Sequence, residues 1–138
     1  MRRWLCVALC CFAGAAVAEP APDPQPKAGA RACLVEGSFM HDGEVQPLVD
    51  CLQGNGESHA RLAGACEGPV RMAEAVGAPP PRVTWLVACP APAQARCEGI
   101  GGTRIVVHHY RRTPAQLAQS RPGCEGAGGA WVEGDGKD

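Results

Sequence analysis

Six cysteines constrain this chain more than any other feature: Cys33, Cys51, Cys66, Cys89, Cys97 and Cys124. Three more, Cys6, Cys10 and Cys11, fall in an apolar run from Trp4 to Val17 that follows Arg2-Arg3 and closes on Ala16-Val17-Ala18. This is the pattern of a secretory signal peptide over residues 1–18, cleaved after Ala18. The run is shorter than the roughly 20 residues a transmembrane helix needs, and no later stretch approaches that length, so no membrane span is expected. Lipidation needs a small residue before the acylated cysteine, whereas Cys10 follows Leu9 and Cys11 follows Cys10.

An even number of cysteines in an exported chain reads as three disulfides, because the compartment is oxidising and small domains are short of core. That shortage is visible: aromatic residues make up 4% of the chain, Trp4 and Phe12 of them lie in the leader, and there are 18 Gly and 13 Pro. A disulfide typically adds about 2 to 4 kcal/mol. Three of them match much of a net stability of roughly 5 to 15 kcal/mol. The expected location is therefore the periplasm or the exterior. Without Arg2 and Arg3, the 13 basic residues become 11 against 14 acidic ones, a net charge of −3. This mild acidity speaks against a nucleic-acid partner.

Composition divides the remainder. Residues 19–31 include "EPAPDPQPKAGA", proline alternating with small or polar residues, and read as a flexible tether. Residues 32–132 form a single α+β domain, and 133–138, without packing residues, a disordered tail. Within the domain, Asp42-Gly43 marks a hairpin between "GSFMH" and "EVQPLVDC", with Pro47 demanding an edge or a bulge. A helix over "ESHARLAGACEG" is expected to stop at Gly68, and a second to begin at Pro69. "RVTWLVAC" is apolar on both faces and predicts a central strand. "PAPAQARCEGIGG" predicts a turn of helix, "TRIVVHHYRR" a strand, "AQLAQSR" a helix capped by Thr113 and begun by Pro114, and Trp131-Val132 a short edge strand. The expected fold is a small, mainly antiparallel sheet with short helices on one face, cross-linked by three disulfides.

"CEG" occurs at Cys66, Cys97 and Cys124. A given cysteine precedes Glu-Gly roughly once in 100 on ordinary composition. "PAQARCEGIGGTRIVV" also resembles "PAQLAQSRPGCEGAGGAWVE", which points to a tandem unit of strand, helix, "CEGxGG" and strand. On that reading each "CEG" cysteine closes a helix and is bridged to a strand. The pairing that follows is Cys51 with Cys66, Cys89 with Cys97, and Cys33 with Cys124, one of 15 arrangements.

Little chemistry is written in the chain. There is no Cys-x-x-Cys, His108 and His109 point to opposite faces of a strand, and His41 flanks a turn, so no metal site is expected. The glycines of "GIGG" and "GAGG" leave a helix, whereas a phosphate loop enters one, so no nucleotide cofactor is expected. Ser38, Ser58 and Ser120 sit in no nucleophile elbow, and Ser38, His41 and Asp42 are hairpin neighbours, not a triad. No catalytic residue is assigned. A hydrolase would need carboxylates such as Asp50 or Glu36 to meet another ionisable group in space, and a copper-handling protein would need His41 near another histidine. The most distinctive polar stretch is "HHYRRT". His108, Tyr110, Arg111 and Arg112 combine an aromatic with two guanidinium groups and are the candidate binding residues, suited to a protein partner in the envelope or outside the cell.

Overall fold

Asp42 and Gly43 turn the chain with positive φ at both positions, 49° and 81°, the geometry that matches the twist of a two-residue hairpin. In the computed structural model, which describes residues 28–134, this turn joins β1 (Ala32–His41) to β2 (Glu44–Gln53). The expected signal peptide (1–18), residues 19–27 of the expected tether and residues 135–138 of the expected tail lie outside the described part. Among the described residues there follow α1 (His59–Ala75), β3 (Arg82–Leu86), β4 (Ala95–Glu98), β5 (Val106–Tyr110), α2 (Pro114–Gly126) and β6 (Ala130–Glu133). The strands form one antiparallel sheet in the order β3-β1-β2-β5-β4-β6. The α+β architecture with helices on one face and three disulfides is thus the one the sequence predicts.

Pro47 removes a backbone donor from β2, which is an inner strand. It does so opposite Ser38 of β1, beyond the Val49–Gln53 stretch that pairs with β5, so no β5 bond is lost. Two other expectations for strands are corrected. "RVTWL" is an edge strand, not a central one, because β1 takes up only one of its sides and Val87 beyond it is 76% exposed. "ARCE" is strand, not helix: Ala95 and Cys97 are buried, while Arg96 and Glu98 alternate towards the other face.

The helices show local signals both obeyed and overridden. Thr113 caps α2 in a reciprocal box, its hydroxyl accepting from the Gln116 N–H and its own N–H donating to Gln116 Oε1. The expected break at Gly68-Pro69 does not occur, and α1 runs through both residues. Leu62 and Cys66 bury one stripe, and Cys66 is bonded to Cys33 of the sheet, which holds the helix across the weak point. Arg71 reinforces it by donating to the Gly64 carbonyl at 2.9 Å and to Glu67 at 3.1 Å.

The register reveals an internal duplication. Trp85, Cys33, Leu52, Val107, Cys97 and Trp131 lie opposite one another in a single row across all six strands. The row reads Trp-Cys-Leu and then Val-Cys-Trp, so β1-β2-α1-β3 and β4-β5-α2-β6 are two copies of a ββαβ unit, related by a pseudo-two-fold axis at Leu52 and Val107. Residues directly opposite share a face, which places Cys33 and Cys97 together under the helices. Cys33 bonds Cys66 of α1, and Cys97 bonds Cys124 of α2. The third bridge, Cys51–Cys89, ties the opposite face of β2 to the segment after β3.

None of the three pairings expected from sequence is found. The repeat exists with different boundaries: Cys97 corresponds to Cys33, not to Cys124, which is its bonded partner. "CEG" marks a helix end only in its third copy, where Cys124-Glu125-Gly126 closes α2, whereas Cys66 lies inside α1 and Cys97 in β4. The core under α1 comprises Cys33, Val35, Leu52, Leu62, Cys66 and Ile105, with Trp85 and Val107 packed against it.

Candidate functional site

β3 and β4 lie on opposite sides of the sheet's centre, so the segment between them, Val87–Gln94, must cross β1, β2 and β5. It crosses on the face away from the helices, as an exposed strap rich in Pro and Ala, and side chains of that face hold it down. Cys89 is bonded to Cys51, and its N–H donates to Gln53 Oε1 at 3.0 Å. The Tyr110 hydroxyl donates to the Pro90 carbonyl at 2.6 Å. At the far end the Gln94 side chain bridges the Arg112 backbone, accepting from its N–H at 2.7 Å and donating to its carbonyl at 2.9 Å. The Gln94 N–H donates to the His109 carbonyl.

Between strap and sheet lies a recess of about 160 Å³ lined by Cys89, Pro90, Ala91, Pro92, Ala93, Arg96 and His108. Burial, reinforced by the Arg96 charge and then by His109, pushes the His108 imidazole below its ordinary pKa, with Glu98 opposing. Burial first, and then the Asp50 carboxylate, push the Tyr110 phenol up, so it stays protonated and able to donate to Pro90.

The candidate residues therefore divide between the two faces. His108 and Tyr110 lie on the strap's side and Arg111 is exposed, but the Arg112 side chain is turned to the helical side. Strict alternation would put Arg112 beside Tyr110. Arg111 adopts a left-handed φ of 53°, which breaks the alternation. Arg112 Nη2 donates to Asp50 Oδ2 at 2.8 Å, while His109 Nδ1 lies 3.0 Å from Asp50 Oδ1. Each of these three side chains is close to nine-tenths buried. The Arg112 guanidinium also lies 5.6 Å above the Phe39 ring, and His109 stacks on Trp131 at 5.4 Å. On the same face the buried Gln116 donates to Gln46 Oε1 at 2.8 Å, tying α2 to β2.

Asp50, a carboxylate that a hydrolase would need to meet another ionisable group, has His109 and Arg112 as its partners. Glu36, the other such carboxylate, pairs with Arg82 at 2.6 Å on the edge side of the sheet. His41 lies 3.4 Å from its neighbour Asp42 and has its ring 6.4 Å from that of Phe39. Among the described residues no group of three or more His, Cys, Asp and Glu is gathered as a metal-ligand set. No described helix is long and apolar enough to cross a membrane. Gln94 and Gln53, which hold the strap, carry no sequence signal, because their partners are set by the crossing. No protein-family model, no curated protein and no solved structure matches the chain.

Proposed function

We propose that this protein is exported, with residues 1–18 as its leader, and acts in the periplasm or outside the cell as a non-enzymatic binding module, an inhibitor or accessory factor. Its partner is another envelope or extracellular protein, and the contact surface is the strap together with His108, Tyr110, Arg111 and the Gln94–Arg112 clamp. The observation that carries this reading is that an exposed segment is fixed at both ends: Cys89 and Pro90 by a disulfide and a tyrosine hydroxyl, Gln94 by the Arg112 backbone. A segment already ordered avoids part of the cost of binding, about 0.5 to 1.5 kcal/mol for each side chain that would otherwise be immobilised. Arg111, exposed beside the strap, supplies a guanidinium for a carboxylate on the partner.

The test is recovery of a partner from an envelope fraction by the purified mature protein. Arg111→Ala and Pro90→Gly are each expected to reduce recovery at unchanged stability. Unchanged recovery with both rejects this surface.

One observation favours a second reading, a small hydrolase acting on envelope polymers: the His109–Asp50 pair has the geometry in which a carboxylate orients an imidazole as general base. Release of soluble fragments from cell-wall material by the purified protein, abolished in His109→Gln, would select it over the binding module.

A further inference from the structure

We propose that Cys51–Cys89 is a redox-exchangeable bridge whose substrate is an external dithiol of the Cys-x-x-Cys type, and that its opening releases the strap. The proposal concerns the bridge itself and stands apart from whether the strap contacts a partner.

The three bridges differ in what surrounds them. Cys33 and Cys66 are each 0% exposed, and Cys97 and Cys124 are 1% and 4% exposed, all between sheet and helix. Cys51 is equally buried, but Cys89 is partly exposed and lines the recess under the strap. A thiolate must reach a sulfur to exchange with it, so access alone separates this bridge from the other two.

The neighbours supply the chemistry. Cys51 lies directly opposite His108 across β2 and β5, and His108 directly opposite Arg96 across β5 and β4, so the three form one row on the strap's face. Directly opposed side chains start about 4.5 to 5.5 Å apart at Cβ. His108 thus stands beside Cys51 and lines the recess together with Cys89 and Arg96, whose guanidinium, 3.3 Å from Glu98, is the kind of neighbour that favours a thiolate. With its pKa depressed, His108 is neutral and available as a proton acceptor.

The first thiol of the dithiol loses its proton to His108 and attacks Cys89 Sγ. A mixed disulfide forms, the S–S bond to Cys51 breaks, and Cys51 leaves as a thiolate that takes the proton back from His108. The second thiol then attacks the reductant's own sulfur in the mixed disulfide, and its proton passes to the departing Cys89 thiolate. Two electrons and two protons reach the protein, and the dithiol leaves as a disulfide. The strap is then held by its hydrogen bonds with Tyr110, Gln53, His109, Arg112 and Gly134.

The experiment treats the folded, oxidised protein with dithiothreitol, stops samples at intervals with an alkylating agent, and maps the labelled cysteines by mass. Cys51 and Cys89 are expected to be labelled at least about tenfold faster than the other four, as accessible sulfurs exchange before buried ones. His108→Gln is expected to slow that step severalfold while leaving the other bridges unchanged. Prior opening of Cys33–Cys66 or Cys97–Cys124, or all three opening together, overturns the assignment. An unchanged rate in His108→Gln overturns the role given to the imidazole.

Discussion

Leu52 and Val107 face each other across the seam of β2 and β5, and the two halves of the sheet repeat outward from that pair. Leu52 is 9% exposed and belongs to the core under α1, so it serves the seam and the core at once. Leu52→Ala is expected to cost about 3 kcal/mol in denaturant unfolding of the oxidised protein. Val45→Ala, at a position 69% exposed on the hairpin arm, is expected to stay within about 0.5 kcal/mol.

The Asp50 cluster separates buried from exposed charge. Asp50→Ala leaves the Arg112 guanidinium buried without its carboxylate and is expected to cost about 3 kcal/mol. Glu67→Ala breaks an ion pair to Arg71 that is more than half exposed at both ends and is expected to cost about 0.5 kcal/mol or less. Equal losses in paired unfolding curves would mean that the Asp50 cluster is no more than a surface ion pair.

The "CEG" glycines predict opposite signs for one substitution. Gly68 lies inside α1 with open space where a Cβ would go, so Gly68→Ala is expected to stabilise by about 0.5 to 1 kcal/mol. Gly99 has a φ of 74°, where a Cβ is strained, and Gly99→Ala is expected to destabilise by about 1 to 2 kcal/mol. A third case has a different cause: a Cβ on Gly129 would lie 2.7 Å from Cys97 Sγ and 2.9 Å from Cys124 Sγ, and Gly129→Ala is expected to cost about 1 to 3 kcal/mol by overpacking. Melting temperatures of the three variants check the order.

Stability is expected to fall with acid in two stages. His108 is held below its ordinary value of 6.5, so the unfolded chain binds its proton first, and stability present above 6.5 declines as pH falls through the folded value. Glu57 accepts from the Arg104 N–H, the largest cause of its lowered pKa, and with smaller help from the Ser58 N–H and the Arg61 charge it sits below 4.5 despite some burial. Its contribution is present above 4.5 and is lost as pH falls through that lower value. Unfolding measured across pH should lose the first stage in His108→Gln and the second in Glu57→Gln.

Signals confined to a few residues were legible in the sequence. Asp42-Gly43 makes its turn, and Thr113, Pro114 and Gln116 make their cap, because donors and acceptors lie within three residues of one another. Gly68-Pro69 misleads because the break is local and what overrides it, the Cys33–Cys66 bond, spans 33 residues. Disulfide partners follow from strand register, which no cysteine spacing encodes. That is why the resemblance between the segments around Cys97 and Cys124 signals a duplication and yet misplaces its halves. The site behaves in the same way. Tyr110 and His108 announce themselves as polar aromatics in a strand, whereas the contact between Asp50 and His109 joins residues 59 apart and appears only when β2 pairs with β5.

Cys33–Cys66 and Cys51–Cys89 lie wholly before the strap ends, and Cys97–Cys124 wholly after it. Among the described residues, no bridge therefore links the first ββαβ unit to the second. One proteolytic cut between Pro90 and Gln94 would divide the oxidised protein into two internally cross-linked fragments held by the β2–β5 seam and the contacts around it. A single covalent body would become a two-body complex, and its survival would then depend on dilution.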